Sequence, residues 1–241
     1  MTWERNSGSC QEKQAMTIEI KICGITSTED ALAAVESGAD AVGFIFHRPS
    51  PRYVSPESAK RIIKNIFGKI TTVGVFVNVD VKTVMDTMTQ CRLDLIQLHG
   101  SEPPEYCRRF SPSRIIKAFS PRSEHDLSDL DLYDVRAFLV DAYDPKRCGG
   151  TGRQSNWEAA SLIAKSHPLI LAGGLTPENI SEAITTVSPH AVDINSGVER
   201  APGEKDPDKI RIAIQNARRH TPAEETKRIF HAGHRSASST G

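Results

Sequence analysis

Eight short apolar runs, at 18–22, 41–46, 72–77, 93–98, 115–119, 137–140, 169–172 and 191–194, recur along the chain, each nearly continuous in apolar and β-branched residues. A strand with one wet face alternates polar and apolar residues. An unbroken run belongs to a strand covered on both faces, as in parallel sheets flanked by helices. Helix-like stretches at 28–37, 56–64, 81–90, 104–110, 157–166, 177–185 and 206–218 separate most of these runs. The first is well punctuated: Thr26, Ser27 or Thr28 can cap it, Glu29 and Asp30 suit its first turn, and Gly38 follows its end. Prolines stand at or near the start of several others. A fifth helix within 123–131 would be short and acidic. Strand and helix signals in alternation favour parallel βα units, and eight of them favour an α/β fold closed into a (β/α)₈ TIM barrel, a single domain spanning 17–218.

A chain of 241 residues suits one such domain. Thirty Lys plus Arg balance thirty Asp plus Glu, so no global field favours nucleic acid or an anionic membrane, and a small-molecule partner is expected. The five cysteines are odd in number, widely spaced and without a CxxC pair, which argues against a disulfide framework or a structural zinc and for a reducing compartment. No apolar run nears the roughly 18 residues of a membrane helix. Residues 1–16 lack the apolar core of a signal peptide, so a cytoplasmic location is expected. Residues 1–16 and 219–241 fall outside the repeat; their polar, aperiodic composition predicts a disordered arm and a mobile tail. Met16 directly precedes the first run, so a start of translation there is a further expectation. Oligomeric state is not legible.

In a barrel of this kind the reactive residues stand at the C-terminal ends of strands and in the loops that follow. The first run leads to Cys23, a thiol at a strand end that is either buried filler or a reactive group. The second leads to Ser50-Pro51-Arg52-Tyr53, where Arg52 offers a planar fork to a carboxylate or phosphate, or is simply solvated. His99, in Gln97-Leu98-His99-Gly100, either hydrogen-bonds a ligand or shapes its loop. Asp141 follows Phe138-Leu139-Val140, and burying a charge without a partner is costly, so it is the strongest acid–base candidate; the competing reading is an aspartate that fixes its own loop. Glycines follow in Cys148-Gly149-Gly150-Thr151-Gly152 and Ala172-Gly173-Gly174-Leu175, and strand eight leads into Asp193-Ile194-Asn195-Ser196-Gly197-Val198-Glu199. Loops after strands seven and eight often bind phosphate through backbone N–H groups, although an isolated Gly-Gly is more often a tight turn. The sequon Asn179-Ile180-Ser181 is given no role.

Taken together and in order, Lys21-Ile22-Cys23-Gly24, Ser50-Pro51-Arg52-Tyr53, Gln97-Leu98-His99-Gly100, Asp141 with Gly149-Gly150-Thr151-Gly152, Ala172-Gly173-Gly174-Leu175 and Asp193 to Glu199 resemble the phosphoribosylanthranilate isomerase family, over about 17–218. The resemblance implies an Amadori rearrangement in L-tryptophan biosynthesis. N-(5-phosphoribosyl)anthranilate becomes 1-(2-carboxyphenylamino)-1-deoxyribulose 5-phosphate, with no metal and no organic cofactor. It implies Asp141 as general acid on the furanose oxygen and Cys23 as the base that takes the proton from sugar C2. It further implies Arg52 on the anthranilate carboxylate and backbone N–H groups from Gly150, Thr151, Gly152, Gly173, Gly174, Asn195, Ser196 and Gly197 on the phosphate. Asp193 would organise its loop or approach the sugar hydroxyls. Four positions depart from the family pattern: Arg153 where lysine is common, Ser155-Asn156 where Phe-Asp is frequent, and Asn195 for a frequent serine. They bear on loop closure and phosphate contacts, not on the acid or base. The rivals are the histidine-pathway isomerase, which resembles this chain in chemistry but is expected to use two aspartates, and a catalytically silent phosphate-binding barrel.

Overall fold

The computed structural model describes residues 18–121, 129–141, 156–220 and 228–230. Eight parallel strands close into a barrel in chain order: β1 (Glu19–Ile22), β2 (Ala41–Ile45), β3 (Thr71–Phe76), β4 (Leu95–Leu98), β5 (Ile115–Phe119), β6 (Ala137–Val140), β7 (Leu169–Leu171) and β8 (Ala191–Ile194). Closure is made by β8 on β1, with Glu19 opposite Ala191 and Ile22 opposite Ile194. Every residue of β1 to β4 is buried, which is why β2 to β4 lack a charged face; β1, Glu19-Ile20-Lys21-Ile22, departs from that pattern by alternating buried charges with isoleucines.

Alternation persists as two apolar environments instead of one apolar and one wet. Ile20, Ile22, Val42, Phe44 and Leu171 pack outward with Ala34, Ile62, Ile66 and Ala213 of the helices. Val73, Leu95, Ile116, Leu139 and Ile170 turn inward and fill the barrel. The helices are α1 (Thr28–Glu36), α2 (Pro56–Ile66), α3 (Val81–Cys91), α4 (Pro104–Cys107), α5 (Trp157–Ala164), α6 (Ile180–Val187) and α7 (Pro207–Arg218). Side chains of Ser27, Ser55, Asp80, Asn156 and Asp206 cap five of them, each cap contributing ~1 kcal/mol. Among the described residues no helix is long and apolar enough to cross a membrane.

The boundaries move where local bonds compete with the pattern. β4 starts at Leu95 rather than 93, because the Leu93 N–H donates to Met88 O and closes α3 around a left-handed Arg92. α4 stops at Cys107, three residues short, with no side-chain cap at Pro103. α6 starts at Ile180 rather than 177, because the Asn179 side chain accepts from Thr176 N and donates to Gly174 O, tying down the preceding loop. Of the short acidic helix anticipated within 123–131, the described part is one 3₁₀ turn, Leu130–Leu132; residues 122–128 lie outside the described residues.

The tail anticipated from 219 onward needs correcting at residues 228–230. Ile229 and Phe230 are buried with the inward-facing strand residues, inside the N-terminal end of the barrel. The Glu19 carboxylate accepts from both of their N–H groups, and Arg136 donates to the carbonyls of Arg228 and Ile229. Eight strands leave an N-terminal opening lined by small side chains such as Ala41, Ala137 and Ala191, and two large apolar residues fill it. A last antiparallel pair, β9 (Glu199–Ala201) with β10 (Glu204–Lys205), follows β8 and brings Lys205 toward the opposite end.

Candidate active site

At the C-terminal end of the strands a cavity opens to solvent, lined by Cys23, Arg52, His99, Asp141, Gly173, Gly174, Asp193, Asn195 and Ser196. Cys23 continues β1, its N–H donating to Ile194 O at 2.9 Å, and Asp141 continues β6, its N–H donating to Phe119 O at 3.0 Å. Both side chains are therefore carried by the barrel frame rather than by free loops. Gly150, Thr151 and Gly152, with Arg153 and Ser155, lie outside the described residues. Asn156, the other departure from the family pattern, caps α5 by accepting from Ala159 N.

Asp141 faces His99, whose Nε2 is 3.2 Å from Asp141 Oδ2. The other ring nitrogen, Nδ1, lies 2.7 Å from Gln97 Nε2. With that amide donating, a neutral imidazole carries its proton on Nε2 and donates to the aspartate. Sequence reading left His99 between ligand contact and loop shaping; it holds the acid candidate and also lines the cavity.

Arg52 is buried and bidentate to Glu199, Nε to Oε1 at 2.8 Å and Nη2 to Oε2 at 2.7 Å. Glu199 also accepts from Lys205 Nζ at 2.9 Å. These two cations hold its carboxyl below the ordinary range against the opposing effect of burial. The Nε edge of the guanidinium is thus committed, and the end-on edge formed by the two Nη groups is the one left to face a ligand.

Asp193 pairs with Lys21, Oδ2 to Nζ at 2.6 Å, inside the barrel. Burial pushes the aspartate upward while Lys21 opposes it. Its other oxygen, Oδ1, is buried and has no hydrogen-bond partner among the described residues. An unsatisfied buried acceptor costs ~1–3 kcal/mol.

The glycines divide by cause. Gly173 and Gly174 have φ of 83° and 68°, the left-handed region that favours glycine, so the β7 loop turns at once across the cavity. Gly197 is a matter of space: a Cβ there would lie 1.9 Å from Leu175 O, where the β8 loop crosses the backbone of the β7 loop. Gly197→Ala therefore forces two backbones apart. It is expected to destabilise by ~1–3 kcal/mol and lower Tm by about 2–10 °C in thermal unfolding.

The model of the N-(5'-phosphoribosyl)anthranilate isomerase family matches residues 20–216. The chain belongs to that family. The isomerase of Geobacter sulfurreducens is 54% identical over 201 residues, which are 83% of this chain and 98% of that protein. That of Syntrophus aciditrophicus is 53% identical over 209 residues, 87% and 91% of the two chains. Among solved structures, the phosphoribosyl anthranilate isomerase of Thermotoga maritima has a TM-score of 0.77 at 42% identity, covering 83% of this chain and 98% of its own. A further phosphoribosyl anthranilate isomerase, solved with reduced 1-(o-carboxyphenylamino)-1-deoxyribulose 5-phosphate, has a TM-score of 0.72 over the same shares. These neighbours are barrels of the same architecture. The family match includes every candidate from Cys23 to Gly197 and ends before residues 228–230.

The structure adds residues that sequence reading passed over: Lys21, Glu199 and Lys205 as buried charges, and Asn179 as the tie of the β7 loop. Lys21 had a signal, being one of two charges, with Glu19, in the first run of isoleucines. Asn179 had only its sequon, which pointed elsewhere.

Proposed function

We infer that this member of the isomerase family catalyses the Amadori rearrangement of N-(5-phosphoribosyl)anthranilate in tryptophan biosynthesis, with Asp141 as general acid and Cys23 as base. The observation that carries the reading is that a thiol and a carboxylate, each held on a barrel strand, line one cavity. Asp141 delivers its proton to the furanose oxygen, the bond from that oxygen to C1 breaks, and the anthranilate nitrogen lone pair forms a protonated Schiff base. His99 Nε2 donates to the carboxylate formed. Cys23 takes the proton from C2, the C–H electron pair becomes the C1=C2 bond, and the imine electrons return to nitrogen. The resulting enolamine tautomerises to the ketone: the C2 hydroxyl loses its proton, the C2=O bond forms, and the C1=C2 electron pair takes a proton at C1. No oxidant or reductant enters the balance.

Arg52 meets the anthranilate carboxylate with its end-on edge, since Glu199 occupies the other. Asp193, which lines the same cavity, approaches the sugar hydroxyls. The phosphate binds against backbone N–H groups of the loops after β7 and β8, with Gly150, Thr151 and Gly152 completing the cradle. This remote contact holds the ring between acid and base. Five cysteines without a CxxC pair fit a cytoplasmic enzyme whose thiol stays reduced.

Side-by-side turnover of the anthranilate and histidine-pathway aminoaldoses tests the reading. Turnover of the first, and rescue of a host lacking this isomerase, are expected. Exclusive use of the second would overturn it.

A further inference from the structure

A parallel barrel has no structural need for a lysine in its packed interior, yet Lys21 lies there completely buried. Moving an ammonium out of water carries a penalty of several kcal/mol, so the charge requires partners. One is Asp193, at 2.6 Å. The other is Cys23, two residues along the same strand and so on the same face, whose sulfur lies within reach of the Lys21 charge. The space is reserved by the neighbouring strand: a Cβ at Gly43 would lie 2.7 Å from Cys23 Sγ and 3.1 Å from Lys21 Nζ. A side chain at 43 would separate the two groups.

We propose that Lys21 is a positioning residue that orients the Cys23 sulfur toward the cavity and favours its thiolate form, with Asp193 fixing the lysine in turn. The proposal rests on Cys23 being the base and adds how a buried thiol reaches that state. Burial pushes the Cys23 thiol up and leaves it above its ordinary value; Lys21 is the foremost influence pulling it back, Asp193 adds to the upward push, and Lys205 also pulls it down. Arg52, paired with Glu199, His99 with Asp141, and His47 are the other charged or titratable groups that share the cavity. Burial would strip the proton from Lys21, but Asp193 and Cys23 outweigh it and keep the ammonium charged. When the sulfur takes the C2 proton, an S–H bond forms, the C2–H bond breaks and Lys21 remains protonated throughout. Its positive charge attracts the thiolate and not the neutral thiol, so it stabilises the reactive form selectively.

The test is the pH dependence of Cys23 alkylation by iodoacetamide in the full chain, read at the Cys23 peptide by mass spectrometry, alongside kcat/KM against pH. Lys21→Met is expected to move the alkylation midpoint alkaline by about one unit or more, carry the acid limb of kcat/KM with it, and lower turnover at neutral pH on the order of tenfold per unit. Because Lys21→Met leaves Asp193 as an unpaired buried charge and can impair folding, Lys21→Met/Asp193→Asn is compared with Asp193→Asn alone; the same alkaline displacement is expected. A lysine that only packs the barrel would lower Tm and leave both midpoints in place. An active Cys23→Ser overturns the base reading and this inference with it. An inactive Cys23→Ser with unmoved midpoints in both lysine-free variants overturns this inference alone.

Discussion

Cys23→Ser and Asp141→Asn are each expected to lower kcat by roughly 10²–10⁴-fold, the span that general acids and bases ordinarily contribute. Both substitutions are close to isosteric, so the loss should come without a matching loss of stability. Serine fits the space of a thiol that is 4% exposed, and its hydroxyl is too weak an acid to supply a base at neutral pH. Asparagine keeps an oxygen to accept from His99 Nε2, which preserves the contact at 3.2 Å while removing the transferable proton. Steady-state kinetics with the anthranilate aminoaldose, together with thermal unfolding and the affinity for a reduced product analogue, separates chemistry from folding and binding. A fall in kcat with affinity and Tm near those of the parent is the expected pattern. Rates within a few-fold of the parent in both variants would remove the assigned roles. Losses need not add in the double variant, because acid and base act on one substrate in succession.

Removing the apolar contacts of the C-terminal segment is expected to have the largest effect on stability. Ile229 and Phe230 are 1% and 3% exposed, and truncating such side chains elsewhere costs ~2–5 kcal/mol each. The segment gains less than their sum, because ordering its backbone and side chains costs ~1–2 kcal/mol per residue. Ile229→Ala/Phe230→Ala should therefore destabilise by about 2–4 kcal/mol and lower Tm by about 5–15 °C, read by calorimetry. Turnover at 25 °C should persist, since these residues sit at the end of the barrel away from Cys23 and Asp141. An unchanged Tm would mean that docking contributes nothing.

Glu19 gives this segment a pH dependence. Burial pushes its carboxyl up to about 7, outweighing the Ile229 and Phe230 N–H groups and Arg228, which favour the charge. A folded-state value raised above the ordinary one means that the folded protein binds the proton more tightly than the unfolded chain. Its stabilising share is therefore complete at the acid end of the range and is lost as pH rises from about 4.5 through about 7. Tm should fall over that interval in the parent and fall less in Glu19→Gln.

The strands were legible because a doubly covered strand leaves an unbroken apolar run, and all eight lie within two residues of their anticipated bounds. Helix ends were less so. Asn179 turns to the loop instead of letting α6 begin at 177, a local competition that no hydrophobic period records. The candidate residues were found by where they stand relative to strand ends, and the barrel then brings Cys23, Arg52, His99, Asp141 and Asp193 to one cavity although they are spread over most of the chain.

Eight continuous runs and six ordered motifs, readable from the residues alone, determined the architecture, the family and the two groups proposed for proton transfer. Periodicity carries this information because burial acts residue by residue along each element. Pairings across the barrel were decided only by the tertiary structure. Lys21 meets Asp193 from 172 residues away, Arg52 meets Glu199 across 147, and Glu19 holds a segment 210 residues downstream. Charge and hydrogen-bond partners act over a few ångströms of space and leave no period in the chain, so a lysine inside an apolar run and an Ile-Phe pair in a polar tail take on meaning only once the barrel has closed.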